Sequence, residues 1–346
     1  MDLNTIYMCV GFLLASYAIV GNDAIQTLGT FLCSNSKKPW YVLWAFAASI
    51  MSAVLIYGWY THGGDVSFGR LERIPVIETL EWYHVMPPIA LLFLTRVGVP
   101  VSTTFLVLSV FTGSALLGKV ILKSIMGYVV AFGAAVVLWA LISKKLEKNF
   151  LKSFETPDFK LRRRWIALQW ISTGFLWSQW LIQDFANIYV YLPRNLEFTQ
   201  LLMSLAVMLA MLAYIFRSNG GEIQKIVTTK TNTRDIRSAT IIDFIYAIIL
   251  FFFKELNNLP MSTTWVFLGV LAGREFAISH QLHLQSIKDT FHLAGKDLGK
   301  AGLGLAVSLV IVFGIKMSFP APSSPGKKAS VTPTTQVAQI LTPKAQ

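Results

Sequence analysis

Two hydroxyl triplets and two acids are the residues of this sequence whose types and spacing could do chemistry. Ser102-Thr103-Thr104 follows Val99-Pro100-Val101, and Ser262-Thr263-Thr264 follows Leu259-Pro260-Met261, each inside a long apolar segment. Asp23 stands in Gly21-Asn22-Asp23-Ala24-Ile25-Gln26, and Asp184 in Gln183-Asp184-Phe185-Ala186-Asn187. Asp23 precedes Ser102 by the same separation, to within one residue, as Asp184 precedes Ser262. One polar device is written twice. Proline followed by Ser and Thr starts a helix, and a helix start offers free N–H groups and the positive end of a dipole. With three hydroxyls added, each triplet reads as an anion cradle. Asp23 with Asn22 and Gln26, and Asp184 with Gln183 and Asn187, offer the carboxylate and amide oxygens that a hard cation such as Na⁺ prefers. Two carboxylates beside an anion repel it unless bound cations or protons compensate, so the combination argues for cation-coupled uptake. A phosphate near neutral pH still carries a proton to donate to a carboxylate, and sulfate has none, which tilts the choice towards phosphate.

The bland readings differ for each feature. A Ser-Thr-Thr run in a membrane helix also serves as interhelical glue or bonds back to its own helix. An intramembrane acid is a functional hypothesis by default, with a structural pair to Arg96 or Lys254 as its rival. Repetition at matched spacing favours function for both. Arg274-Glu275 reads as a local ion pair, and His84, His280, His283 and His292 show no metal-ligand pattern. Gly295-Lys296-Asp297-Leu298-Gly299-Lys300 lacks the preceding strand of a phosphate loop.

The elements that must carry these residues are membrane spans. Of 346 residues, 54% are hydrophobic and only 14% charged, with a mean hydropathy of +0.56, well away from the roughly 25% charge of soluble domains. The net charge of +12 sits in loops, as the positive-inside rule requires, so no nucleic-acid partner is implied. Cys9 and Cys33 give neither metal spacing nor a disulfide framework, and no signal peptide is expected. The spans predicted are 6–31, interrupted and locally unwound at Gly21-Asn22-Asp23; 40–60; an approach helix and re-entrant hairpin within 83–118; 120–142; 165–192; 201–216; a second hairpin within 241–278; and 301–317. The basic stretch with Lys144, Lys145, Lys148, Arg162, Arg163 and Arg164 marks the cytoplasm, as does the loop from Arg217 to Arg237. The amino terminus and the mixed-charge loop from His62 to Glu81 then lie outside. Each half makes an odd number of crossings, so the second inserts upside down relative to the first. The expected fold is an all-α membrane protein of two inverted-topology repeats with broken helices and re-entrant hairpins: 1–143, a basic cytoplasmic linker 144–164, a second repeat 165–319, and a disordered tail 320–346.

In these motifs the chain resembles the inorganic phosphate transporter (PiT) family of cation-coupled symporters. The family carries a Gly-Ala-Asn-Asp-Val-Ala-Asn-like motif on a broken helix and a Pro-Val-Ser-Thr-Thr-His-like motif at a hairpin tip, each twice. The resemblance spans roughly residues 6 to 317. It implies that Asp23, Asp184, Ser102, Thr103, Thr104, Ser262, Thr263 and Thr264 contact phosphate. Asn22, Gln26, Gln183 and Asn187, with both acids, would help ligate Na⁺. Phe105 and Trp265 replace the family's histidine, Gln26 and Gln183 replace asparagines, and the second motif lacks its leading glycine and alanine. The family includes sulfate permeases. The expected function is therefore a Na⁺-coupled, or H⁺-coupled, phosphate transporter of the cell (inner) membrane, working by alternating access. A sulfate or other oxyanion permease and a membrane phosphate sensor without transport are the alternatives. No covalent cofactor is implied, Na⁺ is a co-transported ion, and the lipid bilayer is the surrounding partner. Transporters of this size often dimerise, which leaves a homodimer open. No nucleophile and base are paired with a metal, so enzyme chemistry is set aside.

Overall fold

Polar side chains are packed inside this molecule, and many of its large aliphatic ones face outward. In the computed structural model, which describes residues 2–96, 101–152, 159–218, 236–282 and 287–318, Val129, Val137, Leu141, Ile171, Met203 and Val310 are exposed, while Gln169, Thr173, Gln183, Asp184 and Asn187 are buried. That distribution suits a hydrocarbon solvent, in which an apolar face costs nothing and an unpaired polar group costs several kcal/mol. Among the described residues the secondary structure is helical, without strands. Five segments are long and apolar enough to cross a membrane: Leu3–Asp23, Trp40–Thr61, Ala115–Leu141, Phe198–Arg217 and Ile236–Leu256. The chain is an all-α, multi-pass membrane protein.

In order, the elements are α1 (Leu3–Ser34), α2 (Trp40–Thr61), a 3₁₀ turn (Trp82–Val85), α3 (Met86–Arg96), a π-helical turn (Thr104–Leu108) running into the short α4 (Ser109–Phe111), α5 (Ser114–Lys152), α6 (Phe159–Tyr189), α7 (Phe198–Arg217), α8 (Ile236–Leu256), α9 (Thr263–Leu282) and α10 (Ile287–Ser318). The residues 97–100 that lead into the first triplet, the centre of the basic linker, the basic loop 219–235 and the tail from 319 lie outside the described residues. α5 runs on through Lys152 and α6 starts at Phe159, so most of the stretch read as linker is helical. The polar stretch after residue 286 belongs to α10 as well.

One expectation is overturned. α1 is helical without interruption through Gly21, Asn22 and Asp23, and α6 likewise through Gln183 and Asp184. The sequence reading assumed that polar residues at this depth need freed backbone carbonyls. Instead other elements supply partners, among them the Thr103 hydroxyl and the Val101 and Leu250 carbonyls, so the i to i−4 ladder never has to open.

α1 and α6 run antiparallel at the centre. The end of α1 meets the start of α6, where Asn35 Nδ2 donates to Gln169 Oε1 at 3.1 Å and Trp170 Nε1 donates to Asn35 Oδ1 at 3.3 Å. Trp177 Nε1 ties α6 to the Ala47 carbonyl of α2 at 3.0 Å, and its ring stacks on Trp180 with centroids 4.9 Å apart. α9 lies directly on α5. A Cβ added at Gly269 or Gly273 would strike the Tyr128 or Phe132 carbonyl oxygen, and Ala131 and Ala135 complete the contact. Small residues four apart let two backbones touch, the usual solution in a bilayer.

At one end of the bundle the loop 62–81 is folded over the helices. Asp65 organises it, accepting from Ser67 N and Gly69 N, both at 2.7 Å. Gly64 has φ +100°, with Asn195 packed where a Cβ would stand, so only glycine fits. The Leu196 N–H donates to the Gly64 carbonyl at 3.0 Å, Arg194 reaches the Ile74 and Pro75 carbonyls at 3.3 Å, and Leu80 N donates to Asn4 Oδ1 at 2.7 Å. The amino terminus, this loop and the turn between α6 and α7 therefore share one side.

Candidate functional site

Each triplet sits where a helix begins. Ser102 Oγ accepts from Phe105 N and Ser262 Oγ accepts from Trp265 N, both at 3.3 Å. These matching bonds are N-caps, so the helix-start reading of the sequence describes the local structure at both places. Immediately beyond the caps, the Phe105 and Trp265 rings meet edge to face with centroids 5.8 Å apart. The two starts thus adjoin one another, and the Thr104 hydroxyl donates across to the Met261 carbonyl at 3.1 Å.

The acids reach the same place from α1 and α6. Thr103 Oγ1 donates to Asp23 Oδ2 at 2.7 Å. Asn22 Nδ2 donates to Asp23 Oδ1 at 2.7 Å and lies 3.3 Å from the Val101 carbonyl. Asn187 Nδ2 lies 2.7 Å from Asp184 Oδ1 and 3.2 Å from both Thr103 Oγ1 and Thr104 Oγ1. Asp23, Thr103, Asn187 and Asp184 are therefore one hydrogen-bonded chain, and Thr263 neighbours Asp184 on the other side. All twelve residues singled out from the sequence are buried: Asn22, Asp23, Gln26, Ser102, Thr103, Thr104, Gln183, Asp184, Asn187, Ser262, Thr263 and Thr264. They are not equally central. Gln26 approaches Asp23 Oδ1 only at 3.5 Å. Gln183 turns its amide nitrogen to the Leu250 carbonyl of α8 at 3.2 Å, and the two serines serve their own helices.

Asn22 Oδ1, Gln183 Oε1, Asp184 Oδ2 and Asn187 Oδ1 are buried without a hydrogen-bond donor. Each such oxygen costs about 1–3 kcal/mol while it stays unpaired. All four belong to the motifs on α1 and α6, and all are oxygens, the donor set of a hard monovalent cation. Two buried carboxylates in electrostatic contact add the negative charge such an ion would neutralise.

Sequence reasoning missed several supporting groups. Tyr246 on α8 donates to the Thr263 carbonyl at 2.9 Å, and Ser124 on α5 accepts from Ser262 N at 2.9 Å. Lys123 Nζ braces the approach to the second triplet through the Leu259 carbonyl at 2.7 Å and Asn257 Oδ1 at 2.9 Å. Asp243 accepts from Thr30 on α1 at 2.7 Å and from Thr173 on α6 at 2.6 Å. As a lone acid in the apolar run Ile241-Ile242-Asp243-Phe244, Asp243 is an intramembrane acid like Asp23, but it lacks the repeated triplet spacing that singled out Asp23 and Asp184. The rival pairing with Lys254 is not seen, because Lys254 bonds Glu255 at 3.1 Å.

No family model and no curated protein matches the chain. In fold it is similar to a solved structure described as the sodium-dependent phosphate transporter. The TM-score is 0.56, the match covers 92% of this chain and 100% of that one, and sequence identity is 16%.

Proposed function

We propose that this protein is a cation-coupled secondary transporter of inorganic phosphate, with Na⁺ as the coupling ion, working by alternating access. The observation that carries the reading is the chain from Asp23 through Thr103 and Asn187 to Asp184. It puts both acids and a hydroxyl triplet in one buried network beside four oxygens that lack donors. The likeness in fold to a sodium-dependent phosphate transporter supports the same substrate and ion. In this reading Asn22, Gln183, Asn187 and the two acids hold Na⁺, while the hydroxyls of both triplets and the helix starts behind them hold the anion. The two-repeat, inverted arrangement is supported by the antiparallel run of α1 and α6 and by the matching N-caps at Ser102 and Ser262.

Uptake of radiolabelled phosphate into proteoliposomes tests this, with and without an inward Na⁺ gradient and with sulfate in parallel. Na⁺-driven phosphate uptake is expected, abolished in Asp23→Asn and in Asp184→Asn while both variants stay folded. Wild-type uptake in both variants would remove the assigned cation role, and gradient-independent uptake would remove coupling. The second reading, a permease for sulfate or another oxyanion, draws on the Phe105 and Trp265 ring pair, which walls the hydroxyl site with apolar surface. Uptake of sulfate in preference to phosphate would select it. Tight phosphate binding without counterflow would instead select a sensor.

A further inference from the structure

Arg70 is among the largest fully buried side chains of the protein, at 1% exposure, yet it comes from the mixed-charge loop and not from a helix. Its Nε donates to the Ile182 carbonyl of α6 at 2.8 Å, two residues before Asp184. Its Nη1 is buried and has no acceptor. The acids whose charge it feels are Asp184 and, more weakly, Glu255, and no ion pair within 4 Å is formed with either. A guanidinium whose N–H is kept from water with nothing to bond is costly, and its fork geometry suits an oxyanion better than any other ligand.

The surroundings favour an anion too. Lys123 lies in the field of both Arg70 and Arg73, but its own donors are taken up by Asn257 and Leu259. Exposed Arg73 and buried Thr104 both line one small cavity, together with Ile74, Leu108, Ser109 and Pro260. Its volume is ≈ 10 Å³, about enough for a single water. Residues of the loop thus share a small cavity with a hydroxyl of the candidate site.

We propose that Arg70 is an oxyanion ligand of the transport site, carried in by the 62–81 loop. The assignment rests on the phosphate reading given above. Arg70 acts on the anion and leaves the cation ligands to α1 and α6.

The experiment compares wild type, Arg70→Gln and Arg70→Lys in proteoliposomes, and measures the shift in melting temperature that phosphate or Na⁺ alone gives each purified protein. Arg70→Gln is expected to raise the phosphate KM at least tenfold, roughly the value of one charge-assisted bond. It should lose the phosphate-induced shift and keep the Na⁺-induced one. Arg70→Lys keeps the charge without the fork and should fall between, with a KM raised about threefold to tenfold. A phosphate KM within twofold of wild type in either variant overturns the proposal. So does an equal loss of the phosphate and Na⁺ responses, or a fall in maximal rate at constant KM, since a structural brace would behave that way. If Arg70→Gln does not fold, the KM of Arg70→Lys decides. If wild type itself neither takes up phosphate nor is stabilised by it, the transport reading has failed. A wild type that responds beside an unaffected Arg70→Gln defeats the Arg70 assignment alone.

Discussion

Thr103 is the side chain on which the candidate site converges, because its hydroxyl donates to Asp23 and lies within reach of the Asn187 amide. Thr103→Val keeps the shape and deletes the bond, leaving Asp23 Oδ2 without that donor at a cost of about 1–3 kcal/mol. The expected result is a rise of roughly tenfold in the Na⁺ concentration that half-activates uptake, with Thr103→Ser close to wild type; a Na⁺ titration of initial rates checks both. Asp243 offers a contrasting case. It holds α1 and α6 together through Thr30 and Thr173, so Asp243→Ala should lower the melting temperature whether or not substrate is present. Asp23 and Asp184 were legible in the sequence because each acid was repeated with a triplet at a fixed distance. Asp243 has no such echo. Arg70 was hidden for another reason: among Asp65, Glu72 and Arg73 it looks like one more solvated loop charge, and only the folding of that loop onto α6 buries it.

The spans of α2 and α7 and the starts of the two triplet helices could be read from apolar length, interfacial aromatics and the proline-hydroxyl signal. What the pattern does not carry is the source of compensation for a buried polar group. Gly21-Asn22-Asp23 suggested a break because sequence shows the polar residues and not the Thr103 hydroxyl that meets them. The limits of α5, α6 and α10 were misjudged for a related reason, since helices continue past the hydrocarbon into basic or polar segments where hydropathy falls but helix propensity does not. The α5 and α9 contact offers a direct test of packing. Leucine at Gly269 or Gly273 would force the two backbones apart, an overpacking that costs about 1–3 kcal/mol or more. Both variants should show a lower melting temperature in detergent than wild type, with alanine at the same positions intermediate.

Across the whole chain, the bonds among Asn4, Gly64, Leu80 and Leu196 commit the amino terminus, the 62–81 loop and the α6 to α7 turn to a single side. From the charge distribution we propose that this side faces the exterior. With the two native cysteines replaced, an impermeant thiol reagent added to intact cells should label Glu72→Cys, and should reach Ser218→Cys, past the end of α7, only after permeabilisation. The opposite pattern would reverse the orientation.

α6 is the helix that the rest of the molecule encloses, and it is absent from the five segments apolar enough to cross a membrane unaided. Gln169, Thr173, Gln179, Gln183, Asp184 and Asn187 all ride on it, so during biogenesis it is a poor candidate for release from the translocon into lipid alone. We expect it to integrate only when α1 and α7 are there to meet its amides. Expressed by itself in an insertion reporter, α6 should fail to integrate, and the fraction integrated should climb once α1 and α2 precede it. The buried polar residues of α6 thus tie its entry into the bilayer to the helices that surround it.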